Sequence, residues 1–108
     1  MQNIHLLLVD DEDDFRNTLA KRLIKKGITP LQAENGEKAL AILENKRVDV
    51  VVLDVKMPGM DGIAVLENIK EKYPKTEVIL LSYLATTGDV VEGIKLGAFD
   101  YLEKPVAY

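Results

Sequence analysis

VDVVVLDVKMPGMDG, residues Val48–Gly62, is the stretch that decides the fold of this chain. Val50, Val51, Val52 and Leu53 form an unbroken apolar run, the pattern of a strand covered on both faces in a parallel sheet. Asp54 follows at once, and then a loop broken by proline and glycine. A charged residue directly after such a run sits at the carboxyl end of its strand, where open α/β sheets hold their ligands. Everything else in the chain is read by asking what shares that edge with Asp54.

Working outward, Ile4–Val9 is a second buried-strand run, and it too ends in acids, Asp10, Asp11, Glu12, Asp13 and Asp14. The helix after it carries Phe15, Leu19 and Leu23 on one stripe and stops at Gly27, with Asp13 or Asp14 as its cap. Thr29–Ala33 reads as a short strand, and Pro30 within it argues for a sheet edge. Asn35-Gly36 opens a helix through about Asn45, with Ala39, Leu40 and Leu43 inward. Beyond the Asp54 loop, Ile63 to Tyr73 is a helix with Ile63, Leu66 and Ile69 on one face, ended by Pro74. Val78–Leu81 is a strand running into Ser82, Asp89–Leu96 a helix with Val90, Val91 and Ile94, and Phe99–Leu102 a last strand before Lys104-Pro105.

Five strands alternating with four helices predict an α/β fold, a doubly wound parallel sheet with right-handed crossovers. With Pro30 at an edge, the strand order is 2-1-3-4-5, the flavodoxin-like order, and residues 1–108 form one domain. The first and third strands are then neighbours at the switch point, which brings Asp10, Asp11 and Asp54 together.

Composition narrows the function. A chain of 108 residues, 47% apolar and 30% charged, fits one globular domain with a real core. A net charge of -4 without a basic patch argues against nucleic-acid binding by this segment. The absence of cysteine excludes disulfides and thiolate metal sites and suits a reducing cytoplasm. No signal peptide is evident, and no apolar run reaches membrane-spanning length.

Carboxylates a few ångströms apart repel, so this cluster is costly unless a cation fills it or a proton is shared. Oxygen donors without His or Cys suit Mg²⁺ or Mn²⁺, and a divalent ion among acids commonly serves phosphate chemistry. Ser82 and Lys104, at the ends of neighbouring strands, add a hydroxyl and an ammonium for phosphoryl oxygens. Asp54 as the group that attacks a phosphoryl donor completes the set.

At this point the chain resembles the receiver domain of bacterial two-component response regulators. The fragments LLLVDDE at Leu6–Glu12, VVLDVKMPGMDG at Val51–Gly62, LLS at Leu80–Ser82 and KLGAFDYLEKP at Lys95–Pro105 carry the likeness, in order, over nearly the whole chain. The resemblance implies that Asp54 is the phospho-acceptor for a sensor histidine kinase. It implies Mg²⁺ bound directly by Asp11, Asp54 and the Lys56 carbonyl, and by Asp10 through water. It further implies that Ser82 binds the phosphoryl group, Lys104 pairs with it, Tyr101 is an aromatic switch residue, and Lys104-Pro105 is a cis peptide. An output domain, DNA-binding in a transcriptional regulator, or a separate target protein would be the recipient of the signal.

Two features depart from that pattern. Tyr83 stands where receivers carry Ala or Gly, and it either narrows the approach to Asp54 or points into solvent; Lys56 and Leu84 flank the same path. Receivers also continue into a fifth helix, whereas this chain stops at Val106-Ala107-Tyr108; the expectation is either a chain cut short of that helix or a sheet face covered by self-association or by a partner's helix. The leading expectation is a phospho-accepting module that is not an enzyme on separate substrates. A receiver-like scaffold that binds partners without phosphorylation is the alternative. An aspartyl-phosphate phosphatase is disfavoured because Val55 and Lys56 follow Asp54 where a DxD pattern would be needed, and no phosphate-binding glycine motif supports a nucleotide site. His5 stands alone and reads as structural.

Overall fold

The computed structural model describes residues 3–57, 59, 61–83 and 87–104. Strands β1 (Leu6–Val9), β2 (Leu31–Ala33), β3 (Val50–Asp54), β4 (Glu77–Ser82) and β5 (Asp100–Glu103) alternate with helices α1 (Asp13–Lys25), α2 (Gly36–Asn45), α3 (Gly62–Lys72) and α4 (Thr87–Lys95). All pairings are parallel, in the expected order β2-β1-β3-β4-β5.

The two faces of the sheet follow from strand alternation. Leu7, Val9, Val51, Leu53, Val78 and Leu80 face α2 and α3, with Ala39, Leu43, Leu66 and Ile69. Leu6, Leu8, Val52 and Leu81 face α1, where Ala20, Phe15, Leu19 and Leu23 pack. Helix α4 closes on the first of these faces, so tightly that a Cβ on Gly93 would meet Leu80 Cδ1 at 2.4 Å. Leu102, in register with Leu81, is exposed. Residues 105–108, on which the expectations about a fifth helix and a cis Pro105 bear, lie outside the described residues, as do Met60 and Leu84.

Several boundaries differ from the sequence reading. β1 begins at Leu6, because the His5 backbone is engaged by Asp49: its N–H donates to Asp49 Oδ2 at 3.0 Å and its carbonyl accepts from Asp49 N at 2.7 Å. Pro30 precedes β2, as a residue without an N–H does, and β2 remains the edge strand. β4 includes Ser82 rather than ending before it. Of the three apolar residues expected inward on α4, Val90 is buried, whereas Val91 and Ile94 are exposed.

The cap of α1 is a correction. Neither Asp13 nor Asp14 caps the helix: Glu12 is the N-cap, without a side-chain cap bond, and the two aspartates occupy the first turn. Asp10 Oδ1 takes the Glu12 N–H instead, at 2.9 Å, and the Glu12 carboxylate is drawn elsewhere. By contrast Asn35 and Asp61 cap α2 and α3, accepting from Lys38 N at 2.8 Å and Ala64 N at 3.0 Å.

Candidate functional site

Period-two alternation carries three functional side chains onto the α1 face of the sheet edge. Asp10 continues the Leu8 side of β1, Asp54 the Val52 side of β3, and Lys104 the Leu102 side of β5. Val9 lies in register with Leu53, so Asp10 and Asp54 meet across adjacent strands. Both are buried, at 1% and 4% exposure, and so is Lys104 at 6%. The Lys104 N–H donates to Ser82 O at 2.8 Å, extending the β4–β5 pairing by one residue and aiming its stem back over β4.

The ammonium of Lys104 lies 2.7 Å from Asp10 Oδ2, 2.8 Å from Glu12 Oε1 and 3.4 Å from Asp54 Oδ2. It also sits 4.6 Å from the centroid of the Phe15 ring, a favourable place for a cation. Asp54 Oδ1 accepts from Lys56 N at 3.3 Å. The loop after Asp54 returns so closely that a Cβ on Gly62 would fall 2.3 Å from the Asp54 carbonyl oxygen, and Gly62 N donates to Val55 O at 2.9 Å. Only glycine permits that approach at the start of α3.

Electrostatics at this edge are unbalanced. Asp10, Glu12 and Asp54 can each offer an oxygen within 4.8 Å of the others, against one ammonium. Burial first, and the Asp10 charge second, push the Asp54 carboxyl up to about 7 in spite of Lys104. Burial also works against the charge of Lys104, but the ion pair with Asp10, the hydrogen bond to Glu12 and the field of Asp54 outweigh it and raise its pKa. The Lys104 hydrogen bond lowers Glu12, and the bond to Glu12 raises Tyr83.

These residues fit a hard divalent cation. The donors are all carboxylate oxygens, their charge exceeds that of Lys104, and the buried Asp10 Oδ2 meets Lys104 without hydrogen-bond geometry and has no other partner among the described residues. Among the described residues, the triad that lies close enough to share an ion is Asp10, Glu12 and Asp54; Asp11 is exposed and stands on the rim. A pocket of about 190 Å³ opens onto Asp54, lined by Asp11, Glu12, Lys56, Ser82 and Tyr83. Lys56 is exposed, its ammonium 3.0 Å from Asp89 Oδ2.

A second, apolar pocket of about 490 Å³ lies between α4 and β5, lined by Tyr101, Val90, Val91 and Ile94. Ser82 and Tyr83 line both pockets, so the end of β4 is the wall between them. Tyr101 itself is 42% exposed. Glu12 and Arg16 hold places at this edge that the sequence did not assign to them. Glu12 was one acid in a run of five, and only the fold shows that its carboxylate reaches Lys104, 92 residues away. Arg16 stands in the first turns of α1, and its guanidinium donates to the Asp10 carbonyl at 2.6 Å, pairs with Asp13 at 2.8 Å and donates to Gln32 Oε1 at 3.0 Å. The i,i+3 spacing from Asp13 was the one visible sign of it.

Residues 6–108 match the family described as the response regulator receiver domain. An NtrX-like response regulator of Rickettsia bellii (strain RML369-C) is 46% identical over 107 residues, which are 97% of this chain and 22% of the relative. The DNA-binding transcriptional regulator NtrC of Salmonella typhimurium is 40% identical over 105 residues, again 97% of this chain and 22% of the relative. The chain thus spans about a fifth of the length of the curated relatives it matches. In structure it is similar to the receiver domain of NtrX from Brucella abortus, with a TM-score of 0.90 and 34% identity over 94% of this chain and 87% of that one. Sheet order, the acid–lysine edge and these matches agree, and the chain belongs to the receiver domains of response regulators.

Proposed function

We propose that this chain is a phospho-accepting signalling module that takes a phosphoryl group onto Asp54. What supports this most is the burial of Asp54 beside Asp10 with the Lys104 ammonium 3.4 Å from its Oδ2. That arrangement holds a carboxylate ready while placing a cation where phosphoryl charge would appear. The donor is the phosphoimidazole of a sensor histidine kinase. An Asp54 oxygen attacks phosphorus, the P–N bond breaks, and its electron pair leaves with the imidazole. In hydrolysis, water attacks the same phosphorus, the bond from the Asp54 oxygen to phosphorus breaks with its electron pair left on the carboxylate, and inorganic phosphate departs. Chemistry is confined to the chain's own Asp54, so it acts as a switch rather than as an enzyme on separate substrates.

Mg²⁺ (or Mn²⁺) would be held by Asp10, Asp11, Asp54 and the Lys56 carbonyl, and it supplies neutralisation of phosphoryl charge. Glu12 is close enough to join that set. Lys104 pairs with the phosphoryl group and Ser82 donates its hydroxyl to it. Because Ser82 lines the apolar pocket too, its movement toward the phosphate would be felt by Tyr101 across that pocket. Similar proteins are longer, and one is a DNA-binding transcriptional regulator, so an output domain in a longer parent chain receives the signal. A cytoplasmic location belongs to the same reading; among the described residues no helix is long and apolar enough to cross a membrane.

A scaffold that binds partners without phosphorylation is the second reading, favoured by the Tyr83 hydroxyl bonded across the site to Glu12. Intact-mass measurement after exposure to a small phosphodonor with Mg²⁺ separates the two. An adduct of about 80 Da, the mass of an added HPO₃ group, that Asp54→Asn abolishes is the expected result. No adduct on the parent chain would favour the scaffold.

A further inference from the structure

Two side chains bridge the opening above Asp54. Tyr83, immediately after β4, donates its hydroxyl to Glu12 Oε1 at 3.1 Å and lies 3.4 Å from Oε2. The contact joins the β1–α1 loop to the end of β4, 71 residues apart in sequence. Both residues line the pocket of about 190 Å³ that leads to Asp54. The Oε1 atom that Tyr83 holds also accepts from Lys104 Nζ at 2.8 Å. The Tyr83 ring centroid is 5.3 Å from that ammonium.

We propose that Tyr83 and Glu12 form a closing pair across the acidic pocket that slows both arrival and loss of a phosphoryl group at Asp54. This rests on the phospho-acceptor reading and deepens it. Phosphoryl transfer needs attacking and leaving groups roughly in line through phosphorus. Asp54 is on the protein side of that line, so the donor's leaving group must project outward through the pocket that Tyr83 and Glu12 bound. In hydrolysis the attacking water approaches phosphorus from that same outward side. One obstacle therefore acts on both steps.

The pair also competes for the ammonium. Lys104 already faces Asp10, Glu12 and Asp54, and a phosphoryl oxygen on Asp54 must take over one of these contacts. Asp10 and Asp54 are fixed by buried strand ends, whereas Glu12 is on a loop, with its side chain 45% exposed. Glu12 is thus the partner that yields, and the Tyr83 hydroxyl holds it back. The tyrosine has two separable parts, a ring that narrows the opening and a hydroxyl that anchors Glu12.

The experiment uses the parent chain, Tyr83→Phe, Tyr83→Ala and Asp54→Asn with acetyl phosphate and Mg²⁺, followed by intact mass. The acetyl P–O bond breaks, acetate leaves with the electron pair, and the Asp54 oxygen–phosphorus bond forms. Adduct formation and, after donor removal, adduct loss are both timed. Tyr83→Ala is expected to speed each by about tenfold, with Tyr83→Phe part of the way there. Rates for Tyr83→Ala within about twofold of the parent in both directions would overturn the proposal. Fast Tyr83→Ala beside Tyr83→Phe at the parent rate would overturn the part played by Glu12. Should Tyr83→Ala fail to fold, Tyr83→Phe decides alone, since it removes only the hydroxyl that meets Glu12 and keeps the ring. If neither parent nor variants gain mass, the phospho-acceptor reading itself fails and the pair guards no reaction; a phosphorylated parent with unchanged variants overturns the closing pair only.

Discussion

Asp54 carries a cost that its neighbours only partly offset. Its carboxyl is buried beside Asp10, and these two causes, in that order, bring it from an ordinary 3.8 to about 7. A carboxyl that keeps its proton longer in the folded than in the unfolded chain makes the folded state lose stability as it ionises. Through this group, stability therefore falls as pH rises from about 4 to about 7. Asp54→Asn removes the fall. At about pH 8 the variant should exceed the parent by on the order of 3 kcal/mol in urea unfolding, with little gain near pH 4. An equal gain at both pH values would show that shape, not ionisation, is responsible. Asp54 was readable from the sequence as the acid after a valine run, and so was the crowding of acids beside it, but the place of Glu12 among them was not, because Glu12 enters the cluster only through a side chain that leaves its own helix start.

At the scale of elements, the β1–α1 loop is held from beneath by α1. Arg16 is nearly buried, with its side chain 12% exposed, and it ties the Asp10 carbonyl, Asp13 and the edge-strand residue Gln32 into one set. It fixes the turn that points Asp10 and Glu12 at Lys104, and so acts as a positioning residue. Arg16→Ala leaves the Asp10 carbonyl without this donor and should cost about 1–3 kcal/mol in thermal or urea unfolding. Arg16→Lys, which restores one donor but not the fork, should recover part of that loss. Mg²⁺ affinity should weaken with Arg16→Ala and recover partly with Arg16→Lys, a pattern that general loosening of α1 would not produce. The elements themselves were largely legible. β3, α3 and β4 followed from apolar runs and Pro74, while the α1 cap was not, since three acids compete to be first and the tertiary pull of Lys104 on Glu12 settles which one starts the helix.

For the whole molecule, the crowded edge makes cation binding a stability matter. A ligand at tenfold its Kd that binds only the folded state adds about 1.4 kcal/mol. Saturating Mg²⁺ should therefore raise the melting temperature by several degrees near pH 8. The rise should shrink near pH 5, where Asp54 holds its proton, and shrink again in Asp54→Asn. A melting temperature indifferent to Mg²⁺ at both pH values would contradict a cation site at this edge.

By itself the sequence determined the winding. Apolar runs of strand length, separated by amphipathic helices and punctuated by Pro and Gly, admit few ways to bury their faces, and Pro30 selected the edge strand. Strand-end placement then named Asp10, Asp54, Ser82 and Lys104. Tertiary structure alone decided the contacts made by long, flexible side chains: that Lys104 is shared by three carboxylates, that Arg16 grips the Asp10 carbonyl, and that Tyr83 bonds to Glu12 rather than simply facing solvent. The physical reason is range. Periodicity reports which face a residue takes, but contacts between residues 71 and 92 positions apart depend on how far strand ends twist and how charges balance once the sheet has formed.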